Sequence, residues 1–157
     1  MDELTLIRAS MEDAERIWQM QKCAFAALLQ KYGDRDTSPA AEPLHKVRRR
    51  LMQPETYYYL ICMEKTVVGA IRVVHPKEDN ACKRISPLFI LPEYQGKSLA
   101  TKAVRLAEGI HGQHHWELDT ILEEPGNCHF YEKLGYKKTG EYRRVNDRMT
   151  LVFYRKD

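Results

Sequence analysis

Closely spaced cysteines are missing from this sequence. Cys23, Cys62, Cys82 and Cys128 form no C-x-x-C pair, which excludes zinc-ribbon and thioredoxin-like chemistry. Each lies in or near an apolar stretch, so four reduced and mostly buried thiols are expected. The six histidines fall in no ligand spacing, and no metal is expected. Long apolar runs are also missing. None approaches the ~20 residues that cross a bilayer. The acidic start Met1-Asp2-Glu3 lacks the basic and apolar regions of a secretory leader. A cytoplasmic protein with no membrane partner is the expectation. Excess positive charge is small, +3 over 157 residues, and no basic stretch is interleaved with aromatics, so nucleic acid is not an expected partner. Repeats and low-complexity segments are missing as well.

What remains is ordinary for a globular chain, with 43% hydrophobic and 30% charged residues. The length fits a single domain over residues 1–157. Such a domain buries roughly 70% of its unfolded surface and needs no disulfide or metal to hold its core. Leu4 to Arg8 alternates as a strand. Ser10 precedes a helix as its cap, with Asp13 three residues on. That helix carries Ala14, Ile17, Trp18, Phe25, Leu28 and Leu29 on one stripe and ends at Gly33. Tyr32 to Pro43 reads as a loop. Pro43 opens a second helix to about Gln53, with Leu44, Val47, Leu51 and Met52 inward and Lys46, Arg48, Arg49 and Arg50 outward.

Tyr57–Met63 and Val67–Val74 form an antiparallel hairpin around Glu64-Lys65-Thr66. Ile85–Ile90 is a further strand, and Pro87 within it demands a bulge or an unpaired edge. A helix from Leu99 to about Ile110 presents Leu99, Ala103, Leu106 and Ala107 on one face. Leu118–Leu122 is a short strand, Pro125-Gly126-Asn127 a turn, and Cys128–Leu134 a short helix closed by Gly135. Tyr136 to Tyr154 supplies two strands joined around Asn146-Asp147. This order gives a mixed α/β domain with parallel and antiparallel parts.

The most informative segment is Gln95-Gly96-Lys97-Ser98-Leu99-Ala100, where a strand turns into a helix. Amides at a helix start lack intrahelical partners and lie at the positive end of the dipole. They suit a diphosphate. Gly96 and Ala100 leave room for it and Lys97 adds charge. The same segment also reads as an ordinary helix start capped by Ser98. It is neither a Walker P-loop nor a G-x-G-x-x-G turn.

These six residues resemble the [Q/R]-x-x-G-x-[G/A] signature of the GNAT superfamily of N-acetyltransferases, with flanks Leu88–Tyr94 and Thr101–Ala103. Asn127 to Tyr136 (NCHFYEKLGY) resembles that family's last motif, and the element order agrees over nearly the whole chain. The resemblance implies a central mixed sheet of six to seven strands, flanked by about four helices and splayed between strands 4 and 5. It implies acetyl-CoA as cosubstrate, and direct transfer of its acetyl group through a tetrahedral intermediate to a primary amine of a small molecule or peptide. It places the backbone of Phe89 and Ile90 against the pantetheine arm and the thioester, and the diphosphate on Gln95 to Ala100. Tyr131 matches the general acid that protonates the leaving thiolate. Asn127 either caps its helix or bonds the pantetheine arm. Ser98 stands where the family usually has glycine.

No general base is assigned; Glu42, Glu123 and Glu124 are the side chains within reach of the expected cleft. Asp34, Asp36 and Glu42 in the first long loop carry the charge to attract a cationic amine. The amine acceptor is the expected partner, and a homodimer is left open. A non-catalytic acyl-CoA-binding regulator is the alternative. It would keep the phosphate loop and have no use for Tyr131.

Overall fold

A computed structural model describes residues 3–96 and 98–157. Among them are seven strands and four α-helices: β1 (Leu4–Arg8), α1 (Ala14–Tyr32), α2 (Leu44–Met52), β2 (Thr56–Met63), β3 (Thr66–Val74), β4 (Lys83–Ile90), α3 (Leu99–His111), β5 (Trp116–Ile121), α4 (Pro125–Lys133), β6 (Lys137–Asn146) and β7 (Met149–Lys156). The strands form one sheet in the order β1-β2-β3-β4-β5-β7-β6. All pairs are antiparallel except β4 with β5. The expected mixed sheet is therefore seven-stranded.

Period-two alternation sorts the sheet's side chains into two cores. On β2, Tyr58, Leu60 and Cys62 face α1 and α2 and pack with Ile17, Met20, Val47 and Phe89. Tyr59 and Ile61 face the opposite way, onto Leu99, Ala103, Val104 and Ala107 of α3. A smaller cluster of Tyr32, Met149 and Leu151 closes the far end under α1. Gly33 ends α1 in the left-handed conformation, its N–H bonded to the Leu29 carbonyl at 2.7 Å.

Several expectations need correction. Leu106 is exposed, and Val104 takes its place in the buried face of α3. Met52, the last residue of α2, is exposed, whereas Arg50 turns inward to pair with Glu42. Of the four free thiols, Cys23 is exposed and Cys82 half-buried. Pro125-Gly126-Asn127 is the first turn of α4, since proline suits the first helical position.

β4 and β5 meet only at Lys83–Trp116 and Arg84–Glu117 and then separate. The divergence begins beside Ser86-Pro87, a cis peptide bond. Pro87 has no N–H for a neighbour. The register with β3 also slips by one residue between Leu88 and Ile85, the bulge expected at this proline.

Candidate active site

The gap between the diverging strands opens into a cleft of about 880 Å³. Gly96, Ser98, Leu99 and Ala100 border it at one end, and Asn127 and Tyr131 of α4 face it from the side. At the other end lie Phe25 and Leu28 of α1, the 34–39 segment, and Arg143, Met149 and Leu151 from β6 and β7. Lys97 lies outside the described residues.

The two ends of the β4 peptide edge differ. Leu91 donates to the Val68 carbonyl at 2.8 Å, and the Phe89 carbonyl is turned to β3, where a Cβ on Gly69 would overlap it. The Ile90 carbonyl points the other way and accepts from the Gln95 side-chain amide at 2.9 Å. Successive peptide groups of a strand face opposite edges. Ile90 thus presents its peptide to the cleft, while Phe89 contributes its ring to the wall, edge-on to Phe25 at 5.8 Å. The Gln95 side chain anchors the turn to β4.

Ser98 has φ 61° and ψ 20°, and its side chain does not cap α3. The expected serine cap is replaced by a left-handed residue, a conformation glycine adopts more readily. Gly96 has φ 82° with open space where a Cβ would stand. These two positive-φ residues precede α3, whose first residues Leu99 and Ala100 line the cleft. Asn127 occupies the third position of α4 rather than its cap, which is Glu124.

Tyr131 is half-buried. Its ring packs against Phe130 at 4.8 Å, Tyr136 at 5.9 Å and Tyr154 at 6.4 Å. Burial, and then the nearby Asp119 carboxylate, push its phenol well above the ordinary tyrosine value, so it is protonated at neutral pH. Tyr136 is itself held by Glu108 (3.1 Å), which also pairs with Lys156 (3.0 Å).

The candidate bases are engaged elsewhere. Glu42 accepts from Gln21 at 3.1 Å and is paired with Arg50. Glu124 bonds Lys31 at 2.6 Å and the Tyr32 hydroxyl, and these bonds hold it below the usual carboxylate range. Glu123 accepts the Thr150 N–H at 2.8 Å; burial opposes its charge, but that bond and Arg144 outweigh it and lower its pKa. Asp34 lines the cleft but turns its carboxylate onto the Asp36 and Thr37 amides at 3.1 and 3.0 Å.

Sequence reasoning missed the Arg84–Asp119 pair, which joins β4 to β5 at the floor of the cleft. Its members are 35 residues apart and belong to no local motif. It also missed Gln21, fully buried on α1, which donates to the Pro39 carbonyl at 2.9 Å and ties the long loop to the helix.

A family model described as the acetyltransferase (GNAT) family matches residues 14–136. No curated protein matches the chain in sequence. Among solved structures, spermidine N-acetyltransferase from Vibrio cholerae, in complex with CoA and spermine, superposes with a TM-score of 0.76 at 17% identity, over 96% of this chain and 93% of that one. An acetyltransferase from Thermus thermophilus gives 0.70 at 18%, over 96% and 94%. The PaiA N-acetyltransferase from Thermoplasma acidophilum, in complex with coenzyme A, gives 0.69 at 16%, over 99% of both chains.

Proposed function

We propose, from the premise that the chain belongs to the acetyltransferase (GNAT) family and is an acyltransferase, that it transfers the acetyl group of acetyl-CoA directly to a primary amine of a small molecule or peptide. The observation that carries this reading is the opened β4 edge lying between the amide-rich start of α3 and the Tyr131 phenol. An exposed peptide edge suits the amides of a pantetheine arm, which add to it as a strand would.

In this reading the amides of Gly96, Ser98, Leu99 and Ala100 bind the diphosphate, aided by the helix dipole. Lys97 supplies charge to the same group. Gln95 fixes the turn through Ile90, and Asn127 bonds the pantetheine arm. The Ile90 N–H donates to the thioester oxygen as charge grows there in the tetrahedral intermediate. Phe89 shapes the wall behind it. Tyr131 holds the proton that the leaving thiolate takes up. In water a phenol near ~10 gives its proton to the thiolate of a thiol near ~8.5 at a cost of only ~2 kcal/mol, and the raised Tyr131 value adds to that cost. Deprotonation of the amine falls to water or to a group not yet assigned.

The reaction is placed in the cytoplasm. Among the described residues no helix is long and apolar enough to cross a membrane. A homodimer is compatible with the reading. The test is a thiol-release screen with acetyl-CoA against amines, polyamines, amino acids and peptides. Saturable release with at least one acceptor class supports an enzyme. Coenzyme A binding with no release across the panel points to the non-catalytic regulator.

A further inference from the structure

The electrostatics of the cleft's acceptor end narrow the class of amine, and this inference rests on the acetyl-transfer reading above. With the diphosphate at the start of α3, the acceptor approaches from the α1 side. Every carboxylate near that approach is already committed. Asp34, 5% exposed, holds its own loop through the Asp36 and Thr37 amides and the Thr37 hydroxyl. Asp119 pairs with Arg84, Glu124 with Lys31 and Tyr32, and Glu123 with the Thr150 N–H and Arg144. Glu42 is closed off by Arg50. Asp36, the remaining acid of the loop, is not among the residues that line the cleft.

Arg143 is different. Ile121, Leu151 and Arg143 are direct cross-strand partners on β5, β7 and β6, so their side chains stand in one row on the same face. The row is apolar until its outer end, where Arg143 borders the cleft opposite Phe25 and Leu28. Among the described residues, no ion pair engages Arg143. Arg143 is solvent-exposed, so a di- or polyamine entering here would keep its water but meet an unpaired cation and no free carboxylate, and its second charge would be repelled rather than paired. A guanidinium beside apolar walls instead suits a carboxylate, which it grips with two parallel N–H donors.

We propose that the acceptor is an amine that also carries a carboxylate, and that Arg143 is the residue that selects it. The acceptor's amine points inward to the Ile90 edge while its carboxylate stays at the outer end of the row.

The test measures kcat/KM with acetyl-CoA for α- and ω-amino acids, each beside its amide and its decarboxylated amine, with spermidine included. The expected result is a preference of at least tenfold for the acid over its amide. Arg143→Gln should cut that ratio at least tenfold, Arg143→Lys should retain part of it, and Arg143→Glu should shift preference toward diamines. Coenzyme A binding by each variant reports that it is folded. Three results overturn the assignment while leaving acetyl transfer intact: spermidine or a diamine as the best wild-type acceptor, a ratio unmoved by Arg143→Gln, or no turnover of any amino acid by a chain that binds coenzyme A. Absent coenzyme A binding is a separate result and removes both readings.

Discussion

Tyr131 and Ser98 are two residues whose surroundings fix what their substitution does. Tyr131 sits in an aromatic nest, raised in pKa by burial and by Asp119, so it remains a proton donor throughout the neutral range. Tyr131→Phe keeps the packing and removes the proton. Turnover should fall roughly 100-fold, within the usual span for acid–base groups, and steady-state thiol release checks this; an undiminished rate would take Tyr131 out of the mechanism. Ser98 pays for a left-handed backbone with no cap in return. A non-glycine residue in that conformation costs roughly 1–2 kcal/mol, against the ~0.5–1 kcal/mol by which glycine favours the unfolded chain. Ser98→Gly should raise the melting temperature by a degree or more, and Ser98→Val, β-branched in the same conformation, should lower it by several degrees. The reverse ranking in thermal melts would mean that the serine side chain stabilises the turn. Ser98 was recognisable in the sequence as a departure from the family's glycine. Its conformation was not, because serine at a helix start is ordinarily a cap.

At the scale of elements, the opening between β4 and β5 depends on how β4 is held from its other side. Gly69 lets β3 and β4 approach closely, for a Cβ there would strike the Phe89 carbonyl oxygen and lie 3.0 Å from the Ile90 Cα. Both atoms are backbone and cannot swing aside. Gly69→Ala should destabilise the fold by about 1–3 kcal/mol, read as an earlier urea midpoint, and should weaken coenzyme A binding by displacing Ile90. Wild-type stability in that variant would show that the strands yield more easily than their packing implies. Most elements could be read from the chain because their causes are local: alternation in β1, two apolar runs around a short turn in β2 and β3, glycine after α1, and proline before α2. The register with β3 shows the bulge; a break in the ladder, as a bulge or an unpaired edge, was readable from Pro87, since a residue without an N–H cannot complete a ladder. The inward turn of Arg50 and the Arg84–Asp119 pair were not, because each depends on a carboxylate brought close only by the folded chain.

Taken as a whole, the molecule places its ligand cleft at one end of α3 and a buried polar cluster at the other. His111, in the last turn of α3, lies 2.8 Å from both the Tyr59 hydroxyl and His75. Tyr57 and Trp116 pack around its ring, and Lys83 and Arg8 are the nearby cations. Burial first, then His75 and these cations, lower His111 to about 4; burial, then Lys83, lowers His75 as well. Both folded values lie below the ordinary ~6.5 of unfolded histidine, so protons favour the unfolded chain. The stability contributed is complete above pH ~6.5 and is lost as pH falls from there toward ~4. Melting temperature should therefore drop between pH 7 and 5, above the range in which the carboxylates titrate, and His111→Asn should flatten that slope. An unchanged melting temperature over that interval would contradict the neutral, buried histidine pair. The acetyl-transfer account of the opposite end stands on the diphosphate grip at the start of α3. Isothermal calorimetry of the pure protein with coenzyme A tests it most directly: saturable, one-site binding that weakens with added salt is the predicted result, and no detectable heat at millimolar coenzyme A would contradict it.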